Sequence, residues 1–98
     1  MAIRVDPERN EIRALRDAAA WRGRLVLEGG CGDGRLTRRL ARLGARVEAI
    51  DPDEAVIGAA RRSLPSSFRP RVRFRVGEAM RLAYPPESFD VVVYSWVL

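Results

Sequence analysis

Apolar residues recur along the chain in two different spacings, which predict strands and helices in alternation. The continuous apolar character of residues 24–28 is typical of a buried strand, and residues 46–50 and 89–94 also predict strands. Residues 71–76 alternate arginine with apolar residues as in an edge strand. Between these runs, apolar residues three or four apart predict three helices, whose inward positions are Ile12, Leu15, Ala18 and Ala19, then Leu36, Leu40 and Leu43, then Val56, Ile57, Ala60 and Leu64. This order predicts an α/β fold with a parallel sheet and right-handed crossovers.

Acid-proline pairs mark the starts of the first and third helices. Asp6-Pro7 and Asp51-Pro52 each combine an N-cap acid with a proline at the first helical position, so we expect helices over residues 7–22 and after Asp51. The connection from residue 77 to residue 88 is interrupted by two prolines, which predict a loop there.

Composition narrows the kinds of chemistry that are open to the chain. Its 98 residues suit one domain, and Cys31 is the only cysteine, which excludes an internal disulfide. The absence of histidine argues against a metal site and against Cys/His catalysis, and we interpret Cys31 as a packing residue. No apolar run approaches the roughly 20 residues that cross a bilayer. We therefore expect a soluble cytoplasmic protein with no membrane partner.

The net charge is +5, and every basic residue is an arginine, since the chain has no lysine. These arginines are scattered over the sequence, and the pairs Arg38-Arg39 and Arg61-Arg62 have the pattern of solvated helix faces without interleaved aromatic residues. The charge distribution along the sequence therefore argues against a nucleic-acid partner.

A glycine-rich turn follows the first strand, from Glu28 to Gly34, and opens a helix. Such a turn lets backbone approach a nucleotide-like ligand. The dinucleotide fingerprint G-x-G-x-x-G fails because Arg35 stands where the third glycine belongs, and a phosphate-binding P-loop fails because no Gly-Lys-Ser/Thr follows.

The turn instead resembles motif I of the class I S-adenosylmethionine-dependent methyltransferases, an acid followed by x-Gly-x-Gly-x-Gly, with Thr37 also in place. Three later segments extend the resemblance: Asp51 after the second strand, Gly77-Glu78-Ala79 after the third, and the fourth-strand motif at residues 88–93. The resemblance implies a Rossmann-like parallel sheet with strand order 3-2-1-4 and flanking helices.

The resemblance also implies S-adenosylmethionine as cofactor and a role for each matching residue. Glu28 would lie near the ammonium, Asp51 would accept the ribose hydroxyls, Glu78 and Ala79 would meet the adenine, and Tyr94 would lie near the transferable methyl. The cofactor-binding residues assigned in this way are Glu28, Gly30, Cys31, Gly32, Gly34, Asp51, Pro52, Glu78, Ala79 and Tyr94. No catalytic base and no metal ligand is identified.

The resemblance covers residues 24–98 and ends halfway through the family's domain, as if truncated. Strand four would then form an exposed apolar edge, which predicts a homodimer paired through that edge. Two functions stay open: a methyltransferase with an unidentified acceptor, and a catalytically inactive module that binds S-adenosylmethionine or a nucleoside, or serves only for interaction.

Overall fold

A five-stranded parallel sheet forms the centre of the computed structural model, which describes residues 2–5, 21–78 and 88–95. The strands are β1 (Ala2–Val5), β2 (Leu25–Gly29), β3 (Arg46–Asp51), β4 (Val72–Val76) and β5 (Val91–Ser95). The helices are α1 (Arg35–Arg42) and α2 (Glu54–Ser63), with a short 3-10 helix at Ser66–Arg71. Neither α-helix in the described ranges is long and apolar enough to cross a membrane.

The strands lie in the order β1-β5-β2-β3-β4. The four strands predicted from the sequence are β2, β3, β4 and β5, so their order across the sheet is 3-2-1-4 and the predicted topology is confirmed. The alternating segment forms β4 at one edge, as its wetter face indicates.

The core lies between the sheet and the two helices. Two lateral rows of side chains share this face of the sheet: Val91, Val26, Val47 and Val72 in one, and Val93, Glu28, Ala49 and Phe74 in the other. The predicted inward positions of α1 and α2 pack against these rows, because Leu36, Leu40, Ile57 and Ala60 are all buried in the same cluster. One member of the rows, Glu28, is an acid.

The edge of β5 is not exposed, which corrects the prediction made for strand four. The β1 strand pairs with β5 in parallel, with Ala2 opposite Val92 and Val5 opposite Ser95. The sequence pattern predicts no element before Asp6, so β1, the strand that covers this edge, is not among the predicted strands. The homodimer stays a prediction, now without an exposed β5 edge to support it.

The start of α2 also differs from the prediction. Asp53, not Asp51, is the N-cap, and its carboxylate accepts the N–H groups of Ala55 at 2.9 Å and Val56 at 3.2 Å. Pro52 accordingly precedes the helix and is not its first residue. Asp51 ends β3, so its carboxylate is available for other partners. The predicted helix over residues 7–22 lies outside the described residues except for its last two, which belong to a turn.

Candidate functional site

The carboxyl ends of β2, β3 and β4 meet at one edge of the sheet, the position at which open α/β sheets bind ligands. The glycine turn leaves β2 here and is fixed to β3 by its backbone. The N–H groups of Gly30 and Cys31 both donate to the carbonyl of Ile50, at 2.8 and 3.0 Å. The turn therefore has a defined position relative to the end of β3.

Asp51 joins the loops that follow β2 and β3. One carboxylate oxygen, Oδ2, accepts the N–H of Gly32 at 3.0 Å, and the other, Oδ1, accepts the N–H of Asp53 at 2.9 Å. A carboxylate offers about four acceptor positions, so two bonds leave capacity on both oxygens. The side chain is partly exposed, and this capacity is therefore accessible to a ligand.

The loop after β4 reaches the same point. The N–H of Gly77 donates to the carbonyl of Asp51 at 3.0 Å, which brings the exposed Glu78 to the end of β3. Ala79, the other residue assigned to the adenine, lies outside the described residues. Three loops thus converge on Asp51.

Two glycines in the turn are required for different reasons. Gly34 has φ of 87° and begins α1, and a Cβ added to it would lie 3.2 Å from the Phe74 ring. Gly32 has φ of 55°, but a Cβ there would meet nothing within 4 Å. Gly34 is needed for packing, whereas Gly32 presents bare backbone to open space, as close approach of a ligand requires.

Glu28, which the resemblance places near the ammonium, lies near the end of β2, just before the glycine turn. It is fully buried, in the core-facing row between Val93 and Ala49, and its Oε1 accepts the hydroxyl of Thr37 at 2.5 Å. A carboxylate in this position supports the turn from beneath, and its place near a ligand ammonium stays a prediction. The sequence identified both residues but not their contact, although an acid among core-facing apolar residues requires a polar partner.

The turn carries negative potential. Cys31 is buried within it, and burial, followed by the nearby carboxylates of Glu28, Asp51 and Asp33, raises the pKa of its thiol far above the ordinary value. The thiol is therefore neutral, which supports its interpretation as a packing residue. The same three carboxylates would favour a positively charged ligand at the turn.

Two further assigned residues lie around this edge. Tyr94, near the end of β5, is half-buried and stands opposite Gly29 in the strand register. Pro52 is exposed, between the two aspartates that the β3 loop uses. Apart from Ala79, the residues assigned from the sequence all belong to the ends of β2, β3, β4 and β5 or to the loops that follow them.

A parallel sheet with 3-2-1-4 order and an acid-rich glycine turn at its carboxyl edge matches the Rossmann-like fold of the class I S-adenosylmethionine-dependent methyltransferases. Comparison with known proteins agrees with this class, because the family described as "Methyltransferase domain" matches residues 26–98. The chain belongs to this methyltransferase-domain family.

Individual relatives support the same family. The chain is 40% identical over 81 residues to a ubiquinone biosynthesis O-methyltransferase from Rhizobium rhizogenes, covering 83% of the chain and 32% of the relative. It is 43% identical over 68 residues to a magnesium-protoporphyrin O-methyltransferase from Rhodobacter capsulatus, covering 69% of the chain and 30% of the relative. The chain therefore spans about a third of the length of these relatives.

The fold agrees with a solved structure that contains the cofactor. The magnesium protoporphyrin IX methyltransferase of Synechocystis PCC 6803 with bound SAM superimposes with a TM-score of 0.71 at 26% identity, over 85% of this chain and 39% of that one. Similarity of this extent shows a shared fold for the part of the domain present here.

Proposed function

We propose that the chain is the cofactor-binding part of an S-adenosylmethionine-dependent methyltransferase that acts on an unidentified acceptor. The observation that carries this proposal is the junction at Asp51, where one carboxylate binds a glycine-turn amide and a second loop while keeping accessible acceptor capacity. The donor set fits the cofactor, because a carboxylate can accept vicinal hydroxyls in a bidentate manner.

The negative potential of the turn gives independent support. S-adenosylmethionine carries two cationic groups, the sulfonium and the ammonium, and one carboxylate. The carboxylates that raise the Cys31 pKa, which are those of Glu28, Asp51 and Asp33, favour such a ligand over a phosphate-bearing one. The turn also lacks a lysine that could reach a phosphate.

Each assigned residue then has a distinct part in binding. Asp51 accepts the ribose hydroxyls, Glu78 and Ala79 recognise the adenine, and the open backbone at Gly32 approaches the methionine portion. Glu28 acts through Thr37 and the turn, as a positioning residue. Tyr94 borders the region of the reacting methyl.

When bound, the cofactor supplies a methyl group that is already activated by its sulfonium. The chain's contribution is to orient that group, and orientation alone is worth several kcal/mol of the barrier, roughly 7–11 in favourable cases. Orienting the methyl group needs no histidine, and the chain contains none. We include a cytoplasmic location in the proposal, because a single cysteine suits a reducing compartment.

A second candidate is a module that binds S-adenosylmethionine or a nucleoside without catalysis. The Asp51 junction accounts for binding of the cofactor, whereas methyl transfer also requires an acceptor pocket. Both candidates use the Asp51 junction, and turnover distinguishes them.

Calorimetric titration with S-adenosylmethionine tests the cofactor site. We expect Asp51→Ala to bind at least about 100-fold more weakly, because it removes two hydrogen bonds to a charged acceptor, each worth about 1.5–3 kcal/mol. The matched control is Asp90→Asn, which alters a carboxylate that accepts the N–H of Leu25 at 2.8 Å at the other end of the sheet. Thermal unfolding of each variant separates lost binding from lost fold.

The outcomes distinguish the candidates. No binding by the wild-type chain would contradict both, and equal binding by Asp51→Ala would remove the assigned role of Asp51. Binding with transfer of a labelled methyl group to any of a panel of acceptors supports the methyltransferase. Binding without transfer supports the non-catalytic module.

A further inference from the structure

Arginines that are far apart in the sequence lie together at the amino ends of the strands. Arg24 precedes β2 and Arg46 begins β3, and the N–H of Arg46 donates to the carbonyl of Arg24 at 2.8 Å. Arg69 and Arg71 end the 3-10 helix, and Arg73 follows in β4. We call these five residues the arginine edge. It is the fold, and not the sequence, that concentrates this charge.

Two of the described acids, Glu48 and Asp90, lie at or near the arginine edge, and Glu48 stands opposite Arg73 in the strand register. The carboxylate of Asp90 accepts the N–H of Leu25, and that of Glu48 forms an ion pair with Arg75 at 3.2 Å. The other described acids lie towards the carboxyl ends of the strands: Glu28, Asp33, Asp51, Asp53, Glu54 and Glu78. Most of the described acids thus lie at the carboxyl end of the sheet, so the amino end is the more favourable end for a polyanion.

A groove of about 330 Å³ lies within the arginine edge, and Arg46, Arg71 and Arg73 line it together with Glu48, whose carboxylate is paired with Arg75. Arg71 has a fixed orientation, because its Nη2 donates to the carbonyl of Ala41 at 3.0 Å and its guanidinium lies over the Phe68 ring at 5.5 Å. Arg46 and Arg73 are exposed. Three arginines thus line one groove. Arg71 is held by its bond to Ala41, and the exposed Arg46 and Arg73 offer planar donors that match phosphate oxygens in pairs.

We propose that this groove binds the phosphodiester backbone of a nucleic acid, without sequence preference. A concave site admits a strand of phosphates but not a flat bilayer surface. Insertion into a bilayer also requires exposed apolar side chains, and of the two large ones in the described residues only Leu25 lies at this end, 38% exposed. Phe68 is half-buried beneath Arg71, so recognition rests on phosphates and not on base stacking.

The proposal reverses the expectation drawn from the sequence, which rested on scatter and on the pairs Arg38-Arg39 and Arg61-Arg62. None of those four residues belongs to the arginine edge. The site is also distinct from the cofactor site, because five residues of strand separate the two ends by roughly 17 Å. A nucleic acid bound in the groove therefore leaves the cofactor site open.

Fluorescence anisotropy with a labelled 20-base-pair DNA duplex, between 50 and 200 mM salt, tests the proposal. Three phosphate contacts give a slope of log K against log salt of about −2.7, a loss of about 40-fold in affinity over this range. The double variant Arg46→Gln/Arg73→Gln removes two contacts, so we expect a slope near about −0.9 and a loss of only about 3-fold. The matched control, Arg35→Gln/Arg38→Gln, removes the same charge from the start of α1 and should keep the wild-type slope.

Four results would overturn the proposal. These are no binding to the duplex at 50 mM salt, binding without salt dependence, an equal change of slope in the control variant, and tighter binding to vesicles of anionic phospholipid than to the duplex. Urea unfolding of both double variants checks that each remains folded. If Arg46→Gln/Arg73→Gln does not fold, Arg46→Gln alone replaces it, with an expected slope of about −1.8.

Discussion

The two ends of the sheet differ in how their charged side chains are attached to the fold. At the carboxyl end, the carboxylates of Asp51, Asp53 and Glu28 each accept hydrogen bonds from backbone or from a buried hydroxyl. At the amino end, Arg46 and Arg73 are exposed, and Arg71 alone of the groove arginines makes a described hydrogen bond to backbone. The charged side chains of the cofactor end are therefore bonded into the fold, whereas most of those of the arginine edge extend into solvent.

This difference has a physical origin in the loops. Parallel strands place the turn after β2 and the loop after β3 side by side, and their unsatisfied N–H groups need acceptors. Short acids supply these acceptors at the cofactor end. Arginines at the other end have long side chains that keep the guanidinium group in water, so they need few hydrogen bonds to the backbone. Substitutions at the two ends should accordingly differ in their effect on stability.

The largest effect on stability is expected from Gly34→Ala. Its φ of 87° costs about 1–2 kcal/mol for a residue with a Cβ, and the Phe74 ring at 3.2 Å adds overpacking, so we expect a loss of about 2–4 kcal/mol in urea unfolding. Gly32→Ala is the matched control, since it has the same sign of φ in open space and should lose only about 1–2 kcal/mol. Equal losses would show that packing on Phe74 does not distinguish the two glycines.

The next effect concerns the buried pair beneath the turn. Thr37→Val keeps the shape of the side chain but removes the hydroxyl that donates to Glu28, so we expect a loss of about 1.5–3 kcal/mol in urea unfolding. Thr37→Ser keeps a donor and should lose clearly less. If Thr37→Ser and Thr37→Val are equally destabilised, methyl packing and not the hydrogen bond accounts for the contribution of Thr37.

Periodicity in the sequence was sufficient for the strands β2 to β5 and the inward faces of both helices, and the family resemblance supplied the order of the strands. It missed β1, because four residues before a proline carry little local signal and their partner, β5, lies about 90 positions away. Pairing over such a distance is decided by the sheet edge that the rest of the fold leaves open.

The site residues show the same limit. Asp51-Pro52 has the local pattern of a helix start, but Asp51 binds the amide of Gly32, which is 19 positions away, and Asp53 caps the helix instead. Glu28 was correctly identified as part of the turn, yet its burial beside Thr37 follows from the register of β2 in the sheet. Local patterns identified which residues cluster, while tertiary contacts determine what each one touches.

The smallest effect on stability is expected at the arginine edge. There it distinguishes Arg71, whose side chain bonds to the backbone, from the exposed arginines. Arg71→Met loses the bond to the Ala41 carbonyl at 3.0 Å and the contact with Phe68, so we expect a loss of about 1 kcal/mol in urea unfolding. Arg46→Gln should stay within about 0.5 kcal/mol of the wild type, as is usual for an exposed residue. A loss above about 1 kcal/mol for Arg46→Gln would mean that the arginine edge is as much a part of the folded framework as the carboxylates around Asp51, and the contrast between the two ends would fail.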